Sequence, residues 1–375
     1  MEKFLPYFTN DGSVGLFSEE FDDVYHSASG ALSEAFEKFV LPVIGLKNDN
    51  YKILDICFGL GYNSKAFISH LGVDKNIDID ILDIDKNLIF LSPLIKTNGN
   101  NKNNKKTLRH FTEEQKKIIN KYSKSNLLQK YKIKKDVNEI LIKNLYETFS
   151  DEFINFINSK DVMKFSSFFE LNIQKFIKNY RKFRLFYTPE GKKRGFLHNI
   201  YYPHVSKRYK CLLNSSIKMN FYIDDARNSI KKLNNETYDV VFLDAFTTRK
   251  CPQLWSIDFI NEIAKKTKYD TLVVTYSTAT IVRNTFKQAG FYVGKIIYNN
   301  KAIGTICSKN KSLLKNPLSD YEMGLLNTKA GIPYRDEGLN NTKEDILLTR
   351  EYDVANSNLS SSSKYLKNKG CTNEI

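Results

Sequence analysis

One short apolar run that ends in a glycine turn and opens directly into a helix constrains this chain more than any other feature. Tyr51-Lys-Ile-Leu-Asp-Ile-Cys-Phe58 is of strand length, leads into Gly59-Leu-Gly61-Tyr-Asn63, and gives way to helical spacing over residues 64–71. A second strand with acidic residues follows at 77–84. The alternation then stops and resumes with strands over 219–226, 238–244, 271–275, 291–297 and 302–307, separated by helical segments to 233 and over 257–266 and 280–289. Such βα alternation with short connections predicts a doubly wound, mainly parallel sheet.

Upstream of this unit, a strand or hairpin region around Gly12 and Gly15 precedes a helix that Ser29 can cap, with Ala31, Leu32, Ala35, Phe36 and Phe39 on its apolar face. Downstream, the last 45 or so residues show no βα pattern, and Ser360-Ser-Ser-Ser363 with the Lys/Asn-rich end reads as a frayed tail. The expected organisation is therefore 1–50 as an N-terminal segment that completes the site, 51–95 with 211–340 as the sheet domain, 96–210 as an insertion, and 341–375 as a tail.

The insertion carries the charge. The whole chain has a formal net charge of +15, yet residues 96–210 hold 27 Lys and Arg against 10 Asp and Glu, a net of +17, leaving 30 against 32 elsewhere. Amphipathic helical stretches such as 113–122 and 137–149 lie inside it. So do Tyr180-Arg-Lys-Phe-Arg184 and Tyr201-Tyr-Pro-His-Val-Ser-Lys-Arg-Tyr-Lys210, where aromatics interleave with cations. A polyanion binds such a surface with counterion release, and unpaired bases can stack on the aromatics. The bland alternative is a Lys-rich solvated helical surface. His110, His198 and His204 fall in this block without metal-ligand spacing, and the five cysteines form no CxxC pair, so neither a metal site nor a disulfide framework is expected. No apolar run is long enough for a membrane span or a secretory leader, which points to a cytoplasmic location.

Three features fall at successive strand ends, where open α/β sheets bind ligands. The Gly59-Leu-Gly61 turn, continuing to Asn63, allows close backbone approach; Asp83 or Asp85 can take two ribose hydroxyls; Asp225 can accept from an adenine amine. Singly, each reads as well as a turn or a helix cap. Together they favour S-adenosylmethionine over a dinucleotide, because the third glycine of the dinucleotide fingerprint is missing.

Longer motifs sharpen this. Asp11-Gly-Ser13, Asp23-Val-Tyr-His-Ser-Ala-Ser-Gly-Ala-Leu-Ser-Glu34, Cys57-Phe-Gly-Leu-Gly-Tyr-Asn63, Asp224-Asp-Ala-Arg227, Val241-Phe-Leu-Asp-Ala-Phe-Thr-Thr-Arg-Lys-Cys-Pro-Gln-Leu-Trp255, the stretch 275–291 and Gly331-Ile-Pro-Tyr-Arg-Asp336 resemble the MnmC-type tRNA methyltransferases. The resemblance covers about residues 5–90 and 215–340 and departs from the usual pattern at Thr247-Thr-Arg. It implies a Rossmann-like class I methyltransferase with a seven-stranded sheet, acting at the tRNA anticodon stem-loop. The reaction it implies methylates the amine of 5-aminomethyl-uridine, or its 2-thio form, in the stand-alone form without the FAD oxidase. It further implies that Tyr25, His26 and Ser27 line the pocket, Tyr25 and Ser27 toward the cofactor and His26 toward the substrate.

From the chemistry, Asp244 is the residue placed to orient the amine and take its proton, and Phe246 to pack on the uracil, with a capping role for Asp244 as the alternative. Arg181, Arg184, Lys207 and Arg208 are the candidate tRNA contacts, and Trp255 is expected in the core. Two other functions use similar parts: a spermidine synthase-like aminopropyltransferase, which leaves the basic block unexplained, and a non-catalytic RNA-binding protein on the same fold.

Overall fold

The computed structural model describes residues 4–26, 29–46, 48–98, 103, 105–124, 130–169, 178 and 215–368. At the N-terminus, β1 (Phe4–Phe8), β2 (Val14–Ser18) and β3 (Asp23–Val24) form an antiparallel three-stranded sheet. Helix α1 (Ala31–Glu34) runs on as a π-helical stretch, Ala35–Val40, closed by the Leu41 N–H donating to the Phe36 carbonyl at 2.9 Å. The expected cap is not Ser29. Gly30 occupies the cap position, and Asp11 reaches across from the β1–β2 turn to accept from the Ser33 N–H at 2.8 Å and the Ser13 hydroxyl at 2.6 Å. The Asp11-Gly-Ser13 motif thus joins the hairpin to α1.

The main sheet follows the order β6-β5-β4-β7-β8-β10-β9, built from β4 (Asn50–Ile56), β5 (Asn76–Asp83), β6 (Ile217–Ile223), β7 (Tyr238–Leu243), β8 (Thr267–Thr275), β9 (Tyr292–Tyr298) and β10 (Lys301–Ser308). Only β10 runs against the others, pairing antiparallel with both β8 and β9. Alternate residues leave each strand on opposite faces, so Ile53, Ile79, Val240 and Val274 enter one hydrophobic layer and Leu54, Leu82, Val241 and Val273 the other.

Helices cover both faces: α2 (Tyr62–Leu71), α3 (Lys86–Leu91), α4 (Glu113–Tyr122), α5 (Lys135–Asn158), α6 (Lys160–Met163), α7 (Ala226–Lys231), α8 (Ile257–Lys266) and α9 (Thr280–Gln288). The part of the insertion among the described residues is not an appendage. Leu108, Ile119, Val137, Leu141, Phe153 and Phe168 share the hydrophobic layer of Ile53 and Ile79, so α5 serves as the crossover cover between β5 and β6. Its fragment over 137–149 was legible in the sequence; the element runs from 135 to 158 with a kink at Ser150.

The C-terminal expectation is corrected. Past α10 (Asp320–Leu326), the expected tail holds α11 (Lys343–Asn356), capped by Thr342 and with Ile346 fully buried, and α12 (Ser362–Asn368), while its end, 369–375, lies outside the described residues. A buried ion pair fastens this region: Asp336, 0% exposed, accepts from Arg227 Nη1 at 2.8 Å and from the Asn340 and Asn341 N–H groups. Trp255 is in the core, as expected. No helix among the described residues is long and apolar enough to cross a membrane, and no group of three or more His, Cys, Asp or Glu among them could hold a metal.

Removing one partner of a buried pair strands the other charge, which costs about 3 kcal/mol or more. Asp336→Ala is expected to lower unfolding stability by about that amount in a urea titration, and a midpoint equal to the parent's would show that the Arg227 tie is dispensable.

Candidate active site

A cleft of about 400 Å³ opens at the carboxyl ends of β4, β5, β6 and β7. Its floor is the turn after β4. Cys57, Gly59 and Gly61 all have positive φ, 65°, 54° and 68°. A Cβ on Gly61 would sit 2.2 Å from the Phe58 ring, so this position tolerates only glycine on two counts. The turn is clamped from β5, since Asp83 Oδ2 accepts from the Gly59 N–H at 2.7 Å while Oδ1 accepts from the Asp85 N–H at 2.9 Å. Burial pushes the Asp83 carboxyl up to about 6, against the pull of those two donors.

The two candidate acids at the end of β5 separate cleanly in the structure. Asp85 caps α3 by accepting from the Asn87 N–H at 2.8 Å, whereas Asp83 lines the cleft. Between them Ile84 is 71% exposed, an apolar side chain held out at the cleft rim. Asp225 also lines the cleft and at the same time caps α7 and grips Arg227, whose Nη2 lies 2.8 Å from its Oδ2. Asp224 turns outward to Lys232 and Asn228.

Asp244 follows β7 and faces the turn, accepting from Asn63 Nδ2 at 2.8 Å. Burial raises its carboxyl to about 7; the Asn63 bond lowers it, Glu34 raises it, and Lys38 lowers it. Behind the turn, buried Asp55 is likewise raised to about 7 and accepts from the Ser64 hydroxyl at 2.5 Å.

The N-terminal sheet and α1 form the opposite wall. Tyr25 meets Phe246 edge-on with ring centroids 4.9 Å apart, and Phe21 lies 4.8 Å from Phe246, so three aromatic rings gather at one end of the cleft. Trp255 supports them by donating its indole N–H to the Phe246 carbonyl at 2.8 Å. Lys250 secures the other side: its Nζ donates to the Phe21 and Asp22 carbonyls at 2.8 and 2.9 Å and lies 3.2 Å from Asp23. His26 lines the cleft with its Nε2 buried and without a hydrogen-bond partner among the described residues, and burial lowers its imidazole to about 4, so it is neutral at physiological pH.

This topology, with its glycine turn and acidic strand ends around one cleft, has counterparts among known proteins. Residues 191–306 match a family model described as S-adenosyl-L-methionine-dependent methyltransferase. Over that span the chain is similar to methyltransferases of the S-adenosyl-L-methionine-dependent kind. An uncharacterized protein of Methanocaldococcus jannaschii, MJ0670, is 24% identical over 92% of this chain and 70% of its own length. The tRNA 5-methylaminomethyl-2-thiouridine biosynthesis bifunctional protein MnmC of Vibrio vulnificus is 28% identical over 113 residues, 29% of this chain, and that match spans only 16% of the bifunctional protein. The crystal structure of MnmC2 from Aquifex aeolicus superposes with a TM-score of 0.58 at 21% identity, covering 94% of this chain and 86% of the other, a likeness of fold.

Within the methyltransferase cleft, the structure brings together Tyr25, His26, Gly59, Asn63, Asp83, Asp225, Asp244 and Phe246 from the sequence-derived set. Gly61 shapes the turn beneath them. Ser27, Arg181, Arg184, Lys207 and Arg208 lie outside the described residues. Glu34, Lys38, Phe21 and Tyr276 also line the cleft and were not singled out. Glu34 and Lys38 are ion-paired at 2.8 Å, and their i, i+4 charges beside an apolar helical face were the available signal.

Gly61→Ala forces an L-residue into left-handed backbone, costing about 1–2 kcal/mol, and drives its methyl into Phe58. The methyltransferase should lose at least that much stability by chemical denaturation; an unchanged midpoint would mean the turn can rearrange freely.

Proposed function

We propose that this methyltransferase transfers a methyl group to the primary amine of 5-aminomethyl-uridine, or its 2-thio form, at the wobble position of tRNA, giving the 5-methylaminomethyl product. The observation that carries this reading is Asp244. A carboxylate near neutral pKa stands between the glycine turn and a cluster of aromatic rings able to hold a flat base. The names of the MnmC relatives support the same substrate, and the +17 of residues 96–210 supports a polyanionic partner.

The cleft fits S-adenosylmethionine by its own construction. Its floor is a backbone cradle with no side chain at Gly59 or Gly61. Asp83 uses one acceptor site on each oxygen for the clamp and retains lone pairs for ribose hydroxyls. Ile84 offers an apolar surface to an adenine face, with Asp225 at the neighbouring strand end for its amine. Asn63, Tyr25 and, by resemblance, Ser27 complete the cofactor set. S-adenosylmethionine, when bound, supplies a sulfonium methyl open to attack by a nucleophile.

The chain's residues then have four tasks. Phe246, with Phe21 and Tyr25, holds the uracil and excludes water from the reacting amine. Asn63 fixes the Asp244 carboxylate, which orients the neutral amine and accepts the proton lost as the new N–C bond replaces the S–C bond. His26, neutral and without a hydrogen-bond partner at Nε2 among the described residues, offers a hydrogen bond to the substrate without adding charge. At the cleft wall, Glu34 contributes negative potential that favours an aminomethyl cation on arrival, with Lys38 limiting it.

Because the proton acceptor must be ionised, turnover should fall as pH drops through about 7. Asp244→Asn should remove that acidic limb and lower kcat by roughly 10²–10⁴ while cofactor affinity by calorimetry stays the same. Equal loss of binding and turnover would make Asp244 structural.

The reaction itself is tested by incubating the protein with the methyl donor and tRNA bearing 5-aminomethyl-uridine, then identifying wobble nucleosides by mass spectrometry. Appearance of the 5-methylaminomethyl nucleoside is expected. Transfer to polyamines instead, or to no nucleoside, would sink the reading.

A further inference from the structure

Helix α4 carries basic charge against the outside of the cleft wall. Thr112 caps it with a reciprocal Gln115 box, Glu113 and Glu114 stand in the first turn, where they answer the helix dipole, and Lys121 stands in the last turn. Its apolar side, with Ile119 buried and Tyr122 half-buried, packs on the N-terminal sheet. Tyr122 stacks on Phe17 of β2 with centroids 5.2 Å apart and lies 5.7 Å from the Tyr7 ring of β1. The chain just beyond α4 is bonded to the same sheet, as the Lys124 N–H donates to the Phe8 carbonyl at 2.9 Å.

The opposite side of α4 presents Lys117 and Lys121, one turn apart, and Lys124 follows two residues past the helix end; all three are exposed. None makes an ion pair with a described residue, in contrast to Lys116, which pairs with Glu113 at 2.7 Å. A chain of contacts links the helix's buried side to the cleft. Tyr7, packed on Tyr122, donates its hydroxyl to the carbonyl of His26, whose imidazole lines the cleft.

We propose that Lys117, Lys121 and Lys124 form a docking edge for the phosphate backbone of the RNA substrate. The inference rests on the RNA reading of the function and adds the surface that holds the RNA. Two cations one turn apart on a rigid helix, with a third on the sheet-bonded chain just past its end, suit neighbouring phosphates of a single strand or stem, and the helix is braced on the sheet that supplies Tyr25, His26 and Phe21. RNA held there is anchored to the same N-terminal segment that forms the aromatic end of the cleft, where one unstacked base must enter.

The test compares the full-length protein with the triple variant Lys117→Glu, Lys121→Glu, Lys124→Glu. A control reverses three exposed lysines elsewhere: Lys287 at the end of α9, and Lys311 and Lys315 after the antiparallel β10, at the opposite end of the sheet. Filter binding of total tRNA is measured across salt concentrations. The stripe variant should lose roughly tenfold or more in affinity, and the slope of log K against log salt should flatten by about 2. The control should stay near the parent, and affinity for S-adenosylmethionine should be equal in all three. A stripe variant that matches the parent, or a control that loses as much, overturns the docking edge. If the stripe behaves as expected but no methyl reaches a wobble nucleoside, the proposed reaction fails and the docking edge stands.

Discussion

The Asp83 carboxylate, bound at once to the Gly59 and Asp85 N–H groups, is the interaction on which the rest of the site depends. Parallel strands end with their backbone groups directed into the space above the sheet, and something must satisfy them where the chain turns away. Here one acidic side chain from β5 satisfies the turn after β4, which locks Cys57, Gly59 and Gly61 in left-handed backbone and keeps Phe58 packed beneath the turn. Positive φ at Cys57, a residue with a Cβ, is strain that such a clamp sustains. The same carboxylate remains in the cleft with lone pairs to spare, so a structural tie and a ligand-binding group coincide.

Around that floor, the walls come from parts of the chain far apart in sequence. The N-terminal sheet and α1 are fastened by three separate devices: the Asp11 bond to α1, the Lys250 Nζ bonded to the Phe21 and Asp22 carbonyls, and Tyr7 donating to His26. The Asp11 and Tyr7 bonds hold the segment together internally, and Lys250 ties it to the main domain; a small sheet needs such ties to hold aromatic rings in place. On the other side, Arg227 joins the Asp225 cap to buried Asp336, so the C-terminal segment steadies a cleft residue without entering the cleft.

Much of this was legible in the residues. The doubly wound, mainly parallel sheet could be anticipated because βα alternation with short links leaves few topologies, and the helix limits 113–122 and 257–266 agree with the observed elements. The carboxyl-end cluster of Gly59, Asp83, Asp225 and Asp244 followed from where open sheets bind ligands. Other features were hidden. Asp83 and Asp85 are equivalent by position, and only the α3 cap that Asp85 makes distinguishes them. The C-terminal helices were missed because α11 is weakly amphipathic and buries chiefly Ile346. Glu34 and Lys38 were not singled out, because only the π-helical stretch seen against the cleft places them at the site.

By itself, the sequence determined what short-range physics can encode: strand and helix periods, the glycine turn, the confinement of positive charge to residues 96–210, and the acidic residues at strand ends. Tertiary structure decided what depends on contacts between distant segments. Burial, not residue type, sets Asp244 near 7 and Asp83 near 6, because desolvation exists only once the cleft is assembled. The pairing of the Asp224-Asp-Ala-Arg227 and Gly331-Ile-Pro-Tyr-Arg-Asp336 motifs through one buried ion pair likewise has no local signature. The insertion's role divided along the same line. Its charge was visible in composition, whereas the packing of α5 into the sheet's own core and of α4 on the cleft wall came from the fold, since only a closed core can show which apolar faces find each other.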